Sequence, residues 1–158
     1  FFTKLADQKK EIYDEDLITI IQDGIKIIPD TFKVKYIHAT GGNQESSTAI
    51  VKLERGEEIF AESSVGDGPV DAAFKAVDRV TGMRGRLLDY TVSSVTRGKD
   101  ALGEVFVHVK MNQRNYTGKA ASVDVIDASV RAYVNAVNKA IYQKKRDEER
   151  DSSESALA

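Results

Sequence analysis

Cysteine and tryptophan are absent from the 158 residues, and histidine and proline occur twice each. Without cysteine the chain has no disulfide, no thiolate metal ligand and no cysteine nucleophile, a usage that suits a reducing compartment such as the cytoplasm. His38 and His108 each lie on an expected strand with no HxH or HExxH spacing around them, so they read as ordinary strand residues. Charge of one sign is lacking too: a net charge of -2 and a pI near 5.8 give no basic field, and the aromatics are not interleaved with Lys and Arg, which argues against nucleic acid as a partner. Nowhere do about 18 consecutive apolar residues occur, and the opening FFTKLADQKK holds no apolar run of signal length, so a membrane partner is not expected. No GxxxxGK[ST] or GxGxxG phosphate loop can be read, and no acidic pair stands out from the charged surface. Catalysis needs a base or nucleophile with an orienting partner, or a liganded metal, and neither is visible. The chain begins at Phe1, which suggests the C-terminal piece of a longer protein.

What is present is a duplication. Residues 32–81 can be laid on 88–137 without a gap, at a constant offset of 56 as from Asp71 to Asp127. Thr40 then falls on Thr96, Gly42 on Gly98, Val51 on Val107, Ala72 on Ala128 and Ala76 on Ala132, while Ile50 meets Phe106, Phe60 meets Tyr116 and Lys75 meets Arg131. Each copy is too short to bury a core well alone, so two copies must pack together and leave a seam between them. That seam is where a ligand is expected.

Residues 4–28 read as helical, with Asp14 as an N-cap and Pro29 closing the segment. From Phe32 the period becomes two. Phe32, Val34 and Tyr36 share one face of a first strand, Gly41-Gly42-Asn43 turns the chain, Ala49, Val51 and Leu53 alternate on a second strand, and Ile59, Ala61 and Ser63 on a third. Val70, Ala73, Phe74 and Val77 then follow helical spacing, which completes a βββα unit. The second copy repeats the order, with Leu88, Tyr90 and Val92, then Val105, Val107 and Val109, a third strand near Tyr116 to Ala121, and a helix from about Asp124 whose stripe runs from Ile126 to Ile141. The fold class is therefore α+β, two βββα units related by pseudo-two-fold symmetry and preceded by short helices. The domains read as a helical linker fragment over 1–30, the duplicated domain over 31–142, and a charged helix end with a disordered tail over 143–158.

The turn Gly66-Gly68-Pro69 (with Asp67 between the glycines) delivers the chain to a helix N-terminus, where unpaired N–H groups and the positive end of the dipole would hold a carboxylate. Asp71, one turn inside, offers a charge for an ammonium group. Together they suit a free α-amino acid. The alternative is that the glycines and Pro69 only shape the turn and Asp71 complements the dipole.

Through Gly66 to Ala72, then Leu88-Asp89-Tyr90, Gly98-Lys99-Asp100-Ala101 and Asp124 to Ser129, the sequence resembles the C-terminal regulatory domain of 2-isopropylmalate synthases, which citramalate synthases share. Lys4 to Asp7 and Asp14 to Leu17 resemble the helical subdomain that joins it to the catalytic barrel. The resemblance implies feedback inhibition by leucine, a homodimer, and a catalytic domain elsewhere on the same chain. That barrel, with its divalent metal, acetyl-CoA and 2-ketoacid sites, is absent here, so no cofactor is expected in this fragment. By motif, the effector-binding positions implied are Val70, Asp71, Leu87, Tyr90, Ser94, Ala101, Val123 and Asp124. Period two puts Tyr90 and Ser94 on one face and Leu87 on the other. Where the family often has Gly-x-Gly before its last helix, this chain has Gly118-Lys119-Ala120, which sets that loop apart. Ser94 is small and leaves room for a branched γ-carbon, which favours leucine over isoleucine. The competing readings are an isoleucine-sensing citramalate synthase domain, a dimerisation module that binds no small molecule, and a small enzyme.

Overall fold

The computed structural model describes residues 28–41, 46–97 and 100–157. The expected helices within residues 4–28 and most of the Gly41-Gly42-Asn43 turn lie outside that range. Two antiparallel three-stranded meanders are each followed by a helix: β1 (Lys33–Thr40), β2 (Ser47–Arg55), β3 (Glu58–Gly66) and α1 (Pro69–Thr81), then β4 (Arg86–Arg97), β5 (Asp100–Met111), β6 (Arg114–Ser122) and α2 (Val125–Leu157). The central strands carry the alternation expected of a sheet with one covered face. Ala49, Val51 and Leu53 of β2 and Val105, Val107 and Val109 of β5 are fully buried, each large side chain contributing about 1.5–3 kcal/mol.

Each helix follows from its sequence. Pro69 opens α1 where its missing N–H is not needed, Ala72, Ala73, Phe74, Ala76 and Val77 form the buried face, and Gly82 ends it in the left-handed region (φ 73°) with its N–H donating to the Asp78 carbonyl. In α2 the buried face runs from Ala128 to Ala140. The helix then continues through the charged run to Leu157, where a fraying end and disordered tail were expected. Local pairs hold that extension: Gln143 donates to Asp147 at 3.0 Å, Arg150 pairs with Asp147, and Arg114 of β6 reaches the same carboxylate at 3.3 Å.

Two expectations about the first strand of each unit need correction. In β1 the register slips between Val34 and Tyr36, so Val34 stands opposite Leu53 on the covered face while Tyr36 stands opposite Lys52 on the open face and is 47% exposed. In β4 the slip falls between Leu87 and Asp89, which puts Leu87 opposite buried Val109 on the same face as Tyr90 and Ser94, not on the other one. One extra residue in a strand inverts every side chain beyond it. The gapless repeat fails at the same place. Val51 and Val107 are 56 residues apart, but their partners Ile37 and Tyr90 are only 53 apart, because the chain runs three residues longer from Tyr90 to Val107 than from Ile37 to Val51. Thr40 with Thr96 and Gly42 with Gly98 are therefore not structural equivalents. From β2 to the helix the 56-residue correspondence holds, as in Leu53 opposite Phe60 and Val109 opposite Tyr116.

The two units meet through their helices. Phe74 of α1 stacks on Tyr133 of α2 with ring centroids 4.3 Å apart and planes 10° from parallel. The Tyr133 hydroxyl donates to Asp78 Oδ1 at 2.6 Å. Further along α2, buried Asn138 accepts the Phe32 N–H at 2.9 Å and donates to the Phe32 carbonyl at 3.0 Å, which fixes the start of β1 to the second unit. Burial pushes the Asp78 carboxyl up to about 6, against the opposing effects of the Tyr133 hydroxyl, the Gly85 N–H and Arg84. Burial and the Asp78 charge likewise raise the Tyr133 hydroxyl.

Gly118 is not in a loop before the last helix. It lies inside β6, and a Cβ built there would sit 1.8 Å from the Ala132 carbonyl oxygen and 3.0 Å from the Ala136 amide nitrogen. The helix backbone rests directly on the strand, and Asn135 Nδ2 donating to the Lys119 carbonyl at 2.8 Å closes the same joint. Gly118→Ala is expected to destabilise the protein by ~1–3 kcal/mol or more. Glu62→Ala, at the equivalent place in the first unit, should stay within ~0.5 kcal/mol, because Glu62 is exposed and its ion pair with Arg79 is a loose 3.7 Å. Urea unfolding of both variants checks this; equal effects would contradict the close approach of α2 to β6.

A pH dependence follows from Asp78. Its folded carboxyl keeps a proton up to about pH 6, against an ordinary value of 3.8, so between these values the folded state binds more protons. The stabilisation is fully present below the lower value and is lost as pH rises through the upper one. Compared with Asp78→Asn, the wild-type domain should therefore gain stability on going from about pH 7 to about pH 4. A difference between the two proteins that does not change with pH would rule this out.

Candidate functional site

Seven of the eight residues expected to bind an effector lie at three places, the start of α1, the helix-facing side of β4 and the start of α2, and the eighth, Ala101, lies at the start of β5. Tyr90 links the three places. Its ring meets Phe74 of α1 edge-on at 6.4 Å, and its hydroxyl lies 2.6 Å from Ser129 Oγ of α2. The Ser129 hydroxyl already donates to the Val125 carbonyl at 2.6 Å, so Tyr90 is the donor in the pair. Neither Ser129 nor Phe74 stood out in the sequence, because a serine one turn inside a helix and a phenylalanine on an apolar stripe carry no distinguishing pattern.

At the start of α1, Gly66 is required by space: a Cβ there would fall 2.4 Å from the Ala72 amide nitrogen and 2.6 Å from Asp71 Oδ2. Gly68, the N-cap, is extended (φ -157°), has open space where its side chain would be, and supplies no side-chain cap. Pro69 follows at the first helical position. Asp71 serves the turn itself: its Oδ2 accepts the Asp67 N–H at 2.9 Å and pairs with Lys75 at 2.9 Å. Burial acts to raise the Asp71 carboxyl, but the Asp67 N–H and Lys75 together hold it below its ordinary value. Val70 is half-buried beside it.

On β4, Leu87 and Val92 remain 44% and 45% exposed although both stand on the covered side of the sheet, so this edge of the second unit offers unfilled apolar surface. Ser94 is exposed and stands opposite Gly103, whose missing Cβ would lie 3.1 Å from Val125 Cγ2. Gly103, a strand glycine, could have been singled out in the sequence as a point of close approach. Ala101 pairs with Thr96 two positions nearer the hairpin tip.

At the start of α2, Val123 is 75% exposed and Asp124 caps the helix, its Oδ1 accepting the N–H groups of Ile126 at 2.8 Å and Asp127 at 3.4 Å. The two helix starts are thus unlike. Asp124 occupies the position that Gly68 holds in the first unit, so the first amides of α2 have a side-chain acceptor and those of α1 do not. A recess of about 330 Å³ opens between β1 and this helix start, with Val34, Ile37, Ile126, Asp124 and Arg131 among its lining. Asp124 is the one predicted residue that borders it. Among the described residues no group of three or more His, Cys, Asp or Glu could hold a metal ion, and no helix is long and apolar enough to cross a membrane.

This arrangement defines a duplicated α+β module whose two helix starts are unlike, one open and one capped by a carboxylate. The chain belongs to the LeuA allosteric (dimerisation) domain family, whose model matches residues 11–141. It is similar to the 2-isopropylmalate synthases of Heliobacterium modesticaldum (46% identical over 141 residues), Methylacidiphilum infernorum (49% over 141 residues) and Gloeothece citriformis (41% over 160 residues). These matches cover 89%, 89% and 98% of this chain, but only 28%, 28% and 30% of the relatives, so the chain spans less than a third of the curated relatives it matches.

Proposed function

We propose that this domain is the amino-acid-sensing part of a 2-isopropylmalate synthase and that free leucine, bound between α1 and β4, feeds back on synthesis of its own precursor. The observation that carries the reading is the uncapped start of α1 beside Asp71, on a helix whose Phe74 meets Tyr90 of β4, the strand on which Leu87 and Val92 are left exposed. A leucine carboxylate would take the free amides of Val70 and Asp71, its ammonium group would lie near Asp71, and its isobutyl group would cover the β4 face beside Tyr90. Ser94, small and exposed, would leave space for the branch. The carbon–carbon bond-forming chemistry, with acetyl-CoA, a 2-ketoacid and a divalent metal, would belong to a catalytic barrel on the same polypeptide. The setting would be the cytoplasm, and the related reading is an isoleucine-sensing domain of a citramalate synthase.

A dimerisation role has its own support. The open face of the first sheet carries Tyr36, Ile50, Ile59 and Val65, from 39% to 60% exposed, an apolar surface of the kind that pairing of two copies buries. A homodimer formed there would leave the seam between α1 and β4 accessible.

Calorimetry of the domain with leucine, isoleucine and valine tests the sensing role. Leucine should bind most tightly, and Asp71→Ala should weaken it by roughly tenfold or more, since the loss exposes an ammonium group without its partner. Asp127→Ala, at the capped helix start, should leave binding at the α1–β4 seam unchanged. Equal leucine affinity in wild type and Asp71→Ala removes Asp71 from the site, and no binding of any of the three would leave dimerisation as the function.

A further inference from the structure

The recess between β1 and α2 is the structural counterpart of the seam just described, built with the roles of the two units exchanged. Val34 stands opposite Leu53 as Leu87 stands opposite Val109, and Ile37 stands opposite Val51 as Tyr90 stands opposite Val107. On the helix, Ile126 and Asp127 follow Val70 and Asp71, and the Asp127–Arg131 pair repeats Asp71–Lys75 with the same four-residue spacing. The correspondence appears only once the shift from 56 to 53 residues in the first strand is allowed for.

We propose that this recess is a second small-molecule site and that it takes a zwitterionic aliphatic α-amino acid. Its volume, about 330 Å³, lies at the small end of the range for ligand pockets, which suits a molecule of that size. Its charged lining is balanced, Lys35 and Arg131 against Asp124 and Asp127, and a balanced set prefers a ligand with both charges over one with a single charge. Val34, Ile37 and Ile126 supply the apolar wall for the side chain. Arg131 holds both Asp127 oxygens through Nε at 3.0 Å, so its two terminal NH2 groups remain for a carboxylate. Lys35 is already engaged with Glu54 at 3.3 Å and serves as a second, weaker cation. Because Asp124 occupies the first amides of α2, the carboxylate is taken by Arg131 rather than by the helix start, and Asp124 is left to face the ammonium group. The two seams therefore bind the same class of ligand by different means.

The choice of L-leucine as probe rests on the function proposed above; the site itself does not. The test is a titration of the whole chain with L-leucine followed by methyl NMR of Val34, Ile37 and Ile126 and amide NMR of Val70 and Tyr90. The Val34 and Ile37 methyls should shift with a concentration dependence of their own, separate from Val70 and Tyr90. Isopentylamine and 4-methylpentanoate, each carrying one of the two charges, should shift them far less at equal concentration. Arg131→Gln should weaken the response of Val34 and Ile37 by about tenfold or more and leave Val70 and Tyr90 as they were, while Asp71→Ala should do the reverse. Val34 and Ile37 methyls that stay still at millimolar leucine, or that respond equally in Arg131→Gln, would overturn the second site. A response at Val34 and Ile37 with none at Val70 and Tyr90 would uphold it and instead remove the first.

Discussion

The contact between α1 and α2 is the constraint on which the rest of the molecule depends. A three-stranded sheet has one face to cover, and a single helix laid on it leaves the far side of that helix and the sheet's first strand unpartnered. Here the two helices cover one another and α2 also packs on β1, while β4 keeps Leu87 and Val92 exposed. Phe74 lies flat on Tyr133, the Tyr133 hydroxyl reaches Asp78, and Asn138 satisfies both backbone groups of Phe32 from the second helix. Gly85 is squeezed into the same joint: a Cβ there would sit 2.1 Å from the Tyr133 hydroxyl. Once the helices are fixed in this way, the space left between each helix start and the first strand of the other unit is determined, and those spaces are the two seams.

Duplication fixes the geometry of the seams, and divergence gives them different chemistry. At the N-cap the pair is Gly68 and Asp124, which leaves one helix start open to an anion and closes the other with a carboxylate. At the third strand the pair is Glu62 and Gly118, which lets α2 lie against β6 through its backbone while α1 keeps a side chain between. At the helix-facing positions of the first strands the pair is Ile37 and Tyr90; the tyrosine bonds Ser129 of its own helix, whereas Ile37 and the equivalent Ala73 have no polar side-chain group to pair. A perfectly symmetric pair of units would have offered two identical sites.

Much of this was legible in the residues. The alternation of Ala49, Val51 and Leu53, its echo in Val105, Val107 and Val109, and the helical spacing from Val70 to Val77 carry the fold class because burial of one face imposes those periods directly. The bulges near Lys35 and Leu88 were not legible. A single inserted residue leaves composition and local period intact while reversing the face of everything beyond it, so a strict period of two places Leu87 on the wrong side and an offset of 56 overruns the first strand. Charged residues past Gln143 suggest a frayed end because they carry no apolar period; the helix there is held by polar neighbours three and four residues apart, a pattern that composition alone does not separate from disorder. Of the site, the turn from Gly66 to Asp71 could be read as a helix start, but the ties of Tyr90 to Ser129 and Phe74 join residues 39 and 16 positions apart and arise only from packing.

If the helix contact makes the two units one body, they must open together. Native-state hydrogen exchange measures this most directly, through the buried strand amides of β2 and β5 in increasing denaturant. The account predicts that the amides of Val51 and Val107 exchange with the same opening free energy and the same denaturant dependence, that of global unfolding. If Val51 exchanged through a smaller opening while Val107 stayed protected, each sheet and its helix would be stable independently, and the seams would be joints between separate bodies instead of parts of one core.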